Sequence, residues 1–583
     1  MTRAIGPRAG ISPHGATGAW AVLAIGWGMA GLFGLVWLAA RIAAWLAAGE
    51  VAPYGFEFVT DVLQGRTAAA WPGTSTSLVV ATAVLLISMT AALITAVVWA
   101  IVSRLPDPSD PVKALAHNPG ISPLKPEVAA LKACELRRSL TIASIEPSDI
   151  GLALGDLMHG GPTLYASWED TIVAFMAPRS GKTTSQSIPY VLSAPGPVIA
   201  TSNKADLWAA TAGLRTASGV VWLFDPQHIT HQDQGWWWNP LRGLDSVEDA
   251  HRLAGHFVLT VDDGQKRDLW GPAAQDLLCA LFLAAASSGR TLREVARWLD
   301  APAVPTPVEL LETAGFGLLA SSLRGAQNGA VETRDGIYQT ARTATKALRD
   351  EAIMAWVTPS ARPVFDAHSF ATSHDTLYLL SKSRSAAAPL IAALTDTAMR
   401  AAERQAERMG GRLDPPLVVP LDEAANICRI ADLPELYSHL GSRGIVPITI
   451  LQSYEQGMAV WGETGMAAMW GAATRKVIGA GVDSPRLARD LATLVGQHDV
   501  PVRSVSYADG RTSEQISLRR QDILEPAAIR ALPPGTALLL ATGGKAALIK
   551  LRPWYASPDA ERIQACVNEA QELITQGAQR GVS

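Results

Sequence analysis

At 583 residues the chain has room for two or three domains. Its four cysteines, Cys134, Cys279, Cys428 and Cys566, are too scattered for a metal cluster or a redox pair and read as buried thiols of a reducing compartment. A formal net charge of -4 excludes a globally basic nucleic-acid binder, so any DNA contact must come from local basic loops.

Nearly half of the residues are apolar, and the excess has a local cause. Ala19–Ala40 ("AWAVLAIGWGMAGLFGLVWLAA") and Ser77–Val102 ("SLVVATAVLLISMTAALITAVVWAIV") carry no charge. Each is long enough to cross about 30 Å of hydrocarbon as a helix. A buried core helix is the alternative for either run. The first exceeds a typical signal-peptide core and lacks a clear cleavage site. Arg3 and Arg8 precede the first span, and Arg104 and Lys113 follow the second. Between them Arg41 and Arg66 face Glu50, Glu57 and Asp61. The positive-inside rule predicts cytoplasmic termini, a short outer loop, and a cytosolic remainder after residue 103. Residues 1–103 are thus expected to form a membrane domain.

Residues 104–130, rich in proline, predict a linker. Apolar β-branched runs then alternate with helical stretches: "TIVAFMA", "PVIATS" (197–202), "VVWLFD" (220–225), "TLYLLS" (376–381), "LVVPLDE" (417–423) and "IVPITILQS" (445–453). Such runs predict an α/β domain whose parallel sheet is covered on both faces. Helical spacing without a convincing strand interrupts this rhythm, predicting an all-helical insertion over 246–365. The α/β domain would then have two parts, 131–245 and 366–555. "VPVRSVSYADGRTSEQISL" alternates about Asp509-Gly510, a hairpin signal, and 556–583 predicts an amphipathic helical tail.

The chemistry concentrates in three places. "VAFMAPRSGKTTS" (173–185) ends like a phosphate-binding loop, although Met176 stands where the pattern G-x-x-x-x-G-K-[ST] has its first glycine. The expectation is a strand ending at Met176, a turn over Ala177–Gly181 and a helix from Lys182. Lys182 would reach the β- and γ-phosphates of ATP, and the Thr183 hydroxyl would bind Mg2+. Pro178, Arg179, Ser180, Gly181 and Thr184 complete the ATP-binding turn. Met176 can replace glycine if its φ stays negative. Downstream, Asp422 and Glu423 follow an apolar strand directly. One carboxylate there can hold the Mg2+ and the other can polarise the attacking water; a helix cap with a dipole-compensating glutamate is the alternative. Gln452 ends the next strand, where a polar side chain can contact the γ-phosphate or simply terminate the strand.

With these motifs stand "IATSNKADLWAAT", "LFDPQ" with "WWWNPL", "LPELYSHLGSRGI", "TILQSYEQ" and "ILEPAAIRALPPGTALLL". In this order they resemble the type IV coupling proteins of the TraG/TraD family, DNA-pumping ATPases related to FtsK and HerA. The resemblance covers nearly the whole chain. It implies a RecA-like P-loop motor with an inserted all-helical domain behind two transmembrane helices, assembled as a homohexamer in the bacterial inner membrane. The implied activity passes relaxase-bound single-stranded DNA to a type IV secretion channel, driven by ATP and Mg2+. By similarity Lys182 and Thr183 are the Walker A residues, Asp422 and Glu423 the Walker B pair, and Gln452 the sensor. Members also use an arginine from the neighbouring subunit; Arg443 is the nearest candidate, Arg475 the second, and a solvated helix-end arginine the alternative for both. Two other readings stay open: a docking platform for protein substrates with little hydrolysis, and an FtsK-like pump of duplex DNA, whose usual winged-helix end has no counterpart here. The tryptophan run 236–238 could stack on bases or pack at a domain junction. Arg519, Arg520, Lys545, Lys550 and Arg552 could line a DNA path or be solvated charges.

Overall fold

A computed structural model of the chain describes residues 17–102, 115, 119–158, 160–260, 270–383, 385–508 and 511–580, in two compact units split near Asp107. Arg3, Arg8, Arg104, Lys113 and the turn residues Asp509-Gly510 lie outside the described residues.

In the first unit the two uncharged runs are helices, Thr17–Ala47 and Thr76–Val102, packed against each other. Trp27–Ala47 and Thr76–Ala100 are long and apolar enough to cross a membrane. Their outward side chains, among them Trp45, Met89, Leu93 and Trp99, are exposed, as lipid-facing residues would be. The intervening segment holds two short helices, Phe56–Leu63 and Thr67–Ala70. Phe58, Ala70 and Trp71 form a small core there with Ala40, Ala43 and Val79.

The second unit is built on a sheet whose strands are β1 (Leu152–Leu157), β2 (Thr163–Ala166), β3 (Ile172–Phe175), β4 (Val198–Ser202), β5 (Val221–Phe224), β6 (Thr376–Leu380), β7 (Leu417–Leu421), β8 (Ile445–Leu451), β9 (Arg475–Gly479), β12 (Thr536–Ala541) and β13 (Ala547–Lys550). Separate from it, β10 (Gln497–Ala508) and β11 (Arg511–Asp522) form a two-stranded hairpin arm. The sheet order is β2-β1-β13-β12-β9-β3-β8-β7-β4-β6-β5. From β9 to β5 all neighbours are parallel, and β3, β4, β6, β7 and β8 are buried along their whole length. Helices on both faces of a parallel sheet require such uninterrupted apolar strands. The expectation of a parallel sheet is corrected at one edge, where β12, β13, β1 and β2 run antiparallel. "LALGDL" and "TALLLA" are short, and a strand of that length does not show its direction in its residue pattern.

Between β5 and β6 the chain is helical, from Val247–Val258 through Val331–Ala344. Local signals set these helices: Ser246 caps the first by accepting from Asp249 N, and Thr291 and Glu294 form a capping box. Leu253 and Phe257 pack with Leu278 and Phe282 of the helix Trp270–Ser287. A buried ionic cluster ties the helical segment to the sheet domain. Asp396, on the helix Ala388–Arg408, accepts from Arg252 Nε (3.1 Å) and Arg400 Nε (3.0 Å) and lies 3.3 Å from His256 Nε2. Arg400 also bonds Asp432, just past β7.

The expected linker ends earlier than its composition suggests. Pro119–Leu124 and the helix Pro126–Leu136 place Ile121, Leu124 and Ala133 in the core. The tail helix, Ala560–Arg580, packs on the helix Asp206–Arg215. Trp236 is buried among Trp222, Phe224, Trp356 and Phe365, and Trp238 is buried as well, so these two tryptophans serve packing and not base stacking. All four cysteines are free; burial pushes the Cys279 and Cys428 thiols up to about 12.

Candidate nucleotide site

The candidate residues meet at the C-terminal ends of three adjacent parallel strands, β3, β8 and β7. β3 runs into a turn in which Arg179 (φ 64°) and Gly181 (φ 92°) have left-handed backbone. Pro178 and Arg179 are exposed, while the Ser180 hydroxyl turns inward to Ala177 O (2.6 Å) and Thr184 Oγ1 donates to Gly181 O (3.1 Å). An α-helix is expected directly from Lys182. Instead Thr183–Ser187 form a π-helical turn, and the α-helix Ile188–Ser193 follows. Such turns recur at functional sites because they re-aim side chains over a short stretch.

The structure answers the missing glycine at Met176. Met176 is absent from the residues with positive φ, so nothing there demands glycine. Its buried side chain lies over Gly479 of β9, where an added Cβ would meet Met176 Cγ and Cε at 3.0 Å. Two residues on, a Cβ at Gly481 would stand 2.2 Å from Ala177 Cβ. The small residues that let the turn approach its neighbour therefore sit at the end of the adjacent strand and just past it.

Opposite this turn, Asp422 and Glu423 leave β7. Thr201 Oγ1 anchors the Asp422 carbonyl (2.8 Å), and Glu423 takes left-handed backbone (φ 59°), unusual for a residue other than glycine and a form of strain that clusters at functional sites. Thr183 Oγ1 donates to Asp422 Oδ2 (2.8 Å), and Ser187 Oγ lies 3.5 Å from the same oxygen. Lys182 Nζ bonds Glu423 Oε1 and stands 3.5 Å from Asp422 Oδ1. Gln452 Nε2 donates to both Glu423 oxygens at 2.9 Å, and Asn426 Nδ2 donates to Oε2 at 2.6 Å.

These contacts separate the two carboxyls. Burial raises Asp422, and Lys182 and the Thr183 hydroxyl offset it only in part, so its pKa lies above the usual aspartate range. Burial also pushes Glu423 upward, but the bonds from Lys182, Gln452 and Asn426 outweigh it and hold the carboxyl below the usual glutamate range. Neighbouring acids with opposite shifts are suited to different roles. Asp422 Oδ1 is buried without a hydrogen-bond donor, which suits a hard cation. No cluster of three metal-ligating side chains occurs among the described residues, and Mg2+ bound with a nucleotide needs none, because phosphates and water complete its shell.

The two arginine candidates lie elsewhere. Arg443 ends the turn before β8 and donates to Glu407 Oε1 (2.7 Å). Arg475 opens β9; it lies mostly buried, with NH2 3.1 Å from Asp170 Oδ1 and NH1 donating to Thr474 O. Both are at the N-terminal ends of their strands, whereas the nucleotide residues are at the C-terminal ends. The seven residues of β8 put about 23 Å between Arg443 and Gln452. Neither arginine joins the site of its own chain. Of the other basic residues, Arg519 and Arg520 are exposed on the hairpin arm and Arg552 lies 3.5 Å from Asp156. Asn426 and Gln456 were not singled out from sequence, although each follows a candidate residue at helical spacing, three after Glu423 and four after Gln452.

Residues 416–534 match the family model described as the TraM recognition site of TraD and TraG. Asp422, Glu423, Arg443 and Gln452 all fall within that segment. Two solved structures of the bacterial conjugative coupling protein TrwBdeltaN70 share the fold. The unbound monoclinic form is 18% identical, with 72% of this chain and 91% of that chain covered and a TM-score of 0.50. The trigonal form with sulphate is 17% identical, covering 72% and 92%, also at 0.50. TrwB in complex with ADP and Mg2+ matches at 16% identity over 68% and 89%, with a TM-score of 0.48. No curated protein sequence matches the chain. The sheet order and the phosphate-loop turn give the second unit a P-loop fold shared with these solved structures. Over residues 416–534 the chain is similar to the TraD and TraG coupling proteins that the family model describes.

Proposed function

We propose that this protein is a membrane-anchored ATPase that hands relaxase-bound single-stranded DNA to a type IV secretion channel during conjugation. The observation that carries the reading is the meeting of Lys182 and Thr183 with Asp422, Glu423 and Gln452 across three adjacent strand ends, in a chain similar to this family. In this reading the turn Pro178–Thr184 cradles the phosphates and Lys182 neutralises their charge. Mg2+, held at Thr183 and Asp422, would supply charge stabilisation at the phosphates. Glu423, its carboxylate held by Lys182, Gln452 and Asn426, serves as the base toward water. Gln452, bonded to it, reports the state of the γ-phosphate.

The position of Arg443, on the subunit's surface and far from its own site, supports a ring in which it reaches the neighbour's nucleotide; six subunits is the family's number. Arg475 is the weaker choice, because its guanidinium is mostly buried beside Asp170. The two apolar helices would anchor the protein in the inner membrane with both termini in the cytoplasm. A relaxosome protein recognised through residues 416–534 would deliver the DNA. The presence of both carboxylates, Asp422 and Glu423, against Lys182 and Thr183 favours turnover over a passive docking platform.

The test is phosphate release by the detergent-solubilised full chain, alone and with single- or double-stranded DNA. Hydrolysis stimulated by single strands is expected. Nucleotide binding without hydrolysis would favour the docking platform, and stimulation by duplex alone would favour a duplex pump.

A further inference from the structure

We propose that Asn426 and Gln456 are positioning residues that hold the Glu423 carboxylate and the Gln452 side chain in one closed hydrogen-bond circuit. The inference rests on the ATPase reading and concerns the same site. Asn426 Nδ2 donates to Glu423 Oε2 (2.6 Å), while its Oδ1 accepts from Gln456 Nε2 (3.1 Å). Gln456 Oε1 in turn accepts from the backbone N–H of Gln452 (3.0 Å). The Gln452 side chain closes the loop on both Glu423 oxygens.

Every amide atom of Asn426 and Gln456 is used, and each in one sense only. Turning over the Asn426 amide would set its oxygen against the Glu423 carboxylate and its NH2 against that of Gln456. The circuit therefore has a direction, and it fixes the plane of the carboxylate. That control matters most when a nucleotide is bound. Lys182, the one cation on Glu423 among the described residues, would then turn to the phosphates and leave the carboxylate to Gln452 and Asn426. The circuit is also anchored at both ends. Asn426 N donates to Glu423 O (2.8 Å), and Gln456 lies in the first turn of the helix Tyr454–Ala472, its N–H donating to the capping Ser453 Oγ (3.2 Å). The base at the end of β7 and the γ-phosphate contact at the end of β8 are thereby set as one unit.

The experiment measures kcat, KM for ATP and Tm for the parental full chain and for Asn426→Ala, Gln456→Ala, the double variant and Gln456→Glu. Each alanine variant should lower kcat by about 10- to 100-fold, the scale of a misplaced reacting group, with KM within about threefold. The double variant should be no slower than the slower single, because one circuit broken twice is still one broken circuit. Gln456→Glu keeps size and the acceptor for Gln452 N, but loses the donor to Asn426. It should match the alanine variant in kcat while keeping the parental Tm, which a packing role would not produce. Additive losses, a parental kcat for Gln456→Glu, or changes confined to KM would overturn the inference. A parental chain that binds ATP without hydrolysing it would overturn the ATPase reading and the inference together; a hydrolysing parent with unaltered variants would overturn the inference alone.

Discussion

Replacing Glu423 with glutamine should make the protein bind ATP more tightly while it stops turning over. Lys182 is bonded to Glu423, and both side chains are largely withdrawn from solvent, at 14% and 5% exposure. An incoming phosphate must take the lysine from this partner. Hydrogen bonds contribute from about 0.5 kcal/mol between neutral groups to about 3 kcal/mol between charged ones, and glutamine leaves the charged lysine a neutral acceptor, toward the middle of that range. The difference is about 1–2 kcal/mol, or about 5- to 30-fold in the dissociation constant. Loss of the base should lower kcat by about 10³, within the usual range for general base catalysis. A titration with fluorescent ATP analogue gives the first number, and single-turnover phosphate release gives the second. An unchanged or weaker affinity would show that Lys182 is not held by Glu423 in the free protein. Hydrolysis at the parental rate would remove Glu423 from the chemistry.

Arg443→Ala should leave nucleotide affinity and Tm nearly unchanged, since its bond to Glu407 is a solvent-exposed ion pair worth about 0–1 kcal/mol, yet turnover should fall by about 10³. Mixing it with Glu423→Gln subunits should restore part of the activity, and no recovery in rings shown to be mixed would point to Arg475 or to a structural role. Asp396→Asn breaks the buried cluster and should cost about 3–5 kcal/mol at neutral pH, measured by denaturant unfolding. Burial pushes the Asp396 carboxyl up, but His256, Arg400 and Arg252 hold it below the usual aspartate range. Its contribution is therefore complete above that range and lost as the pH falls through the depressed folded-state value; the asparagine variant should lose that part of the acid slope. Gly481→Ala requires a side chain at φ 90° and 2.2 Å from Ala177 Cβ, so nucleotide affinity and Tm should both drop. Gly479→Ala meets only flexible Met176 atoms, and adding Met176→Ala should relieve it; an equally severe Gly479→Ala phenotype would refute the packing account.

The parallel strands could be read from sequence because burial on both faces forces continuous apolar runs: "PVIATS", "TLYLLS" and "LVVPLDE" became β4, β6 and β7. Asp422, Glu423 and Gln452 were legible for a related reason, since a charged or polar residue directly after such a run stands out at the edge of the core. The antiparallel edge was hidden, because nothing in "LALGDL" tells a strand which way its neighbour runs. Asn426 and Gln456 were hidden differently. Their meeting depends on two short helical turns on adjacent strand ends coming to the same height, and residue identities along one turn carry no information about the other. The role of Gly479 and Gly481 had the same cause: the room that Met176 and Ala177 need is supplied by a strand some three hundred residues later.

β8 starts just after Arg443 and ends just before Gln452, and all seven of its residues are buried between β3 and β7. Such a strand has little freedom to stretch or bend, so a push at one end arrives at the other. In the proposed ring, where Arg443 would reach the nucleotide of one neighbour, the other end of the same strand would stand beside the subunit's own γ-phosphate. Loss of phosphate at one interface would then be felt at the next, and always in the same sense around the circle. A closed set of identical subunits would acquire a handed order of firing from the polarity of a single strand, without any further component to tell it which subunit goes next.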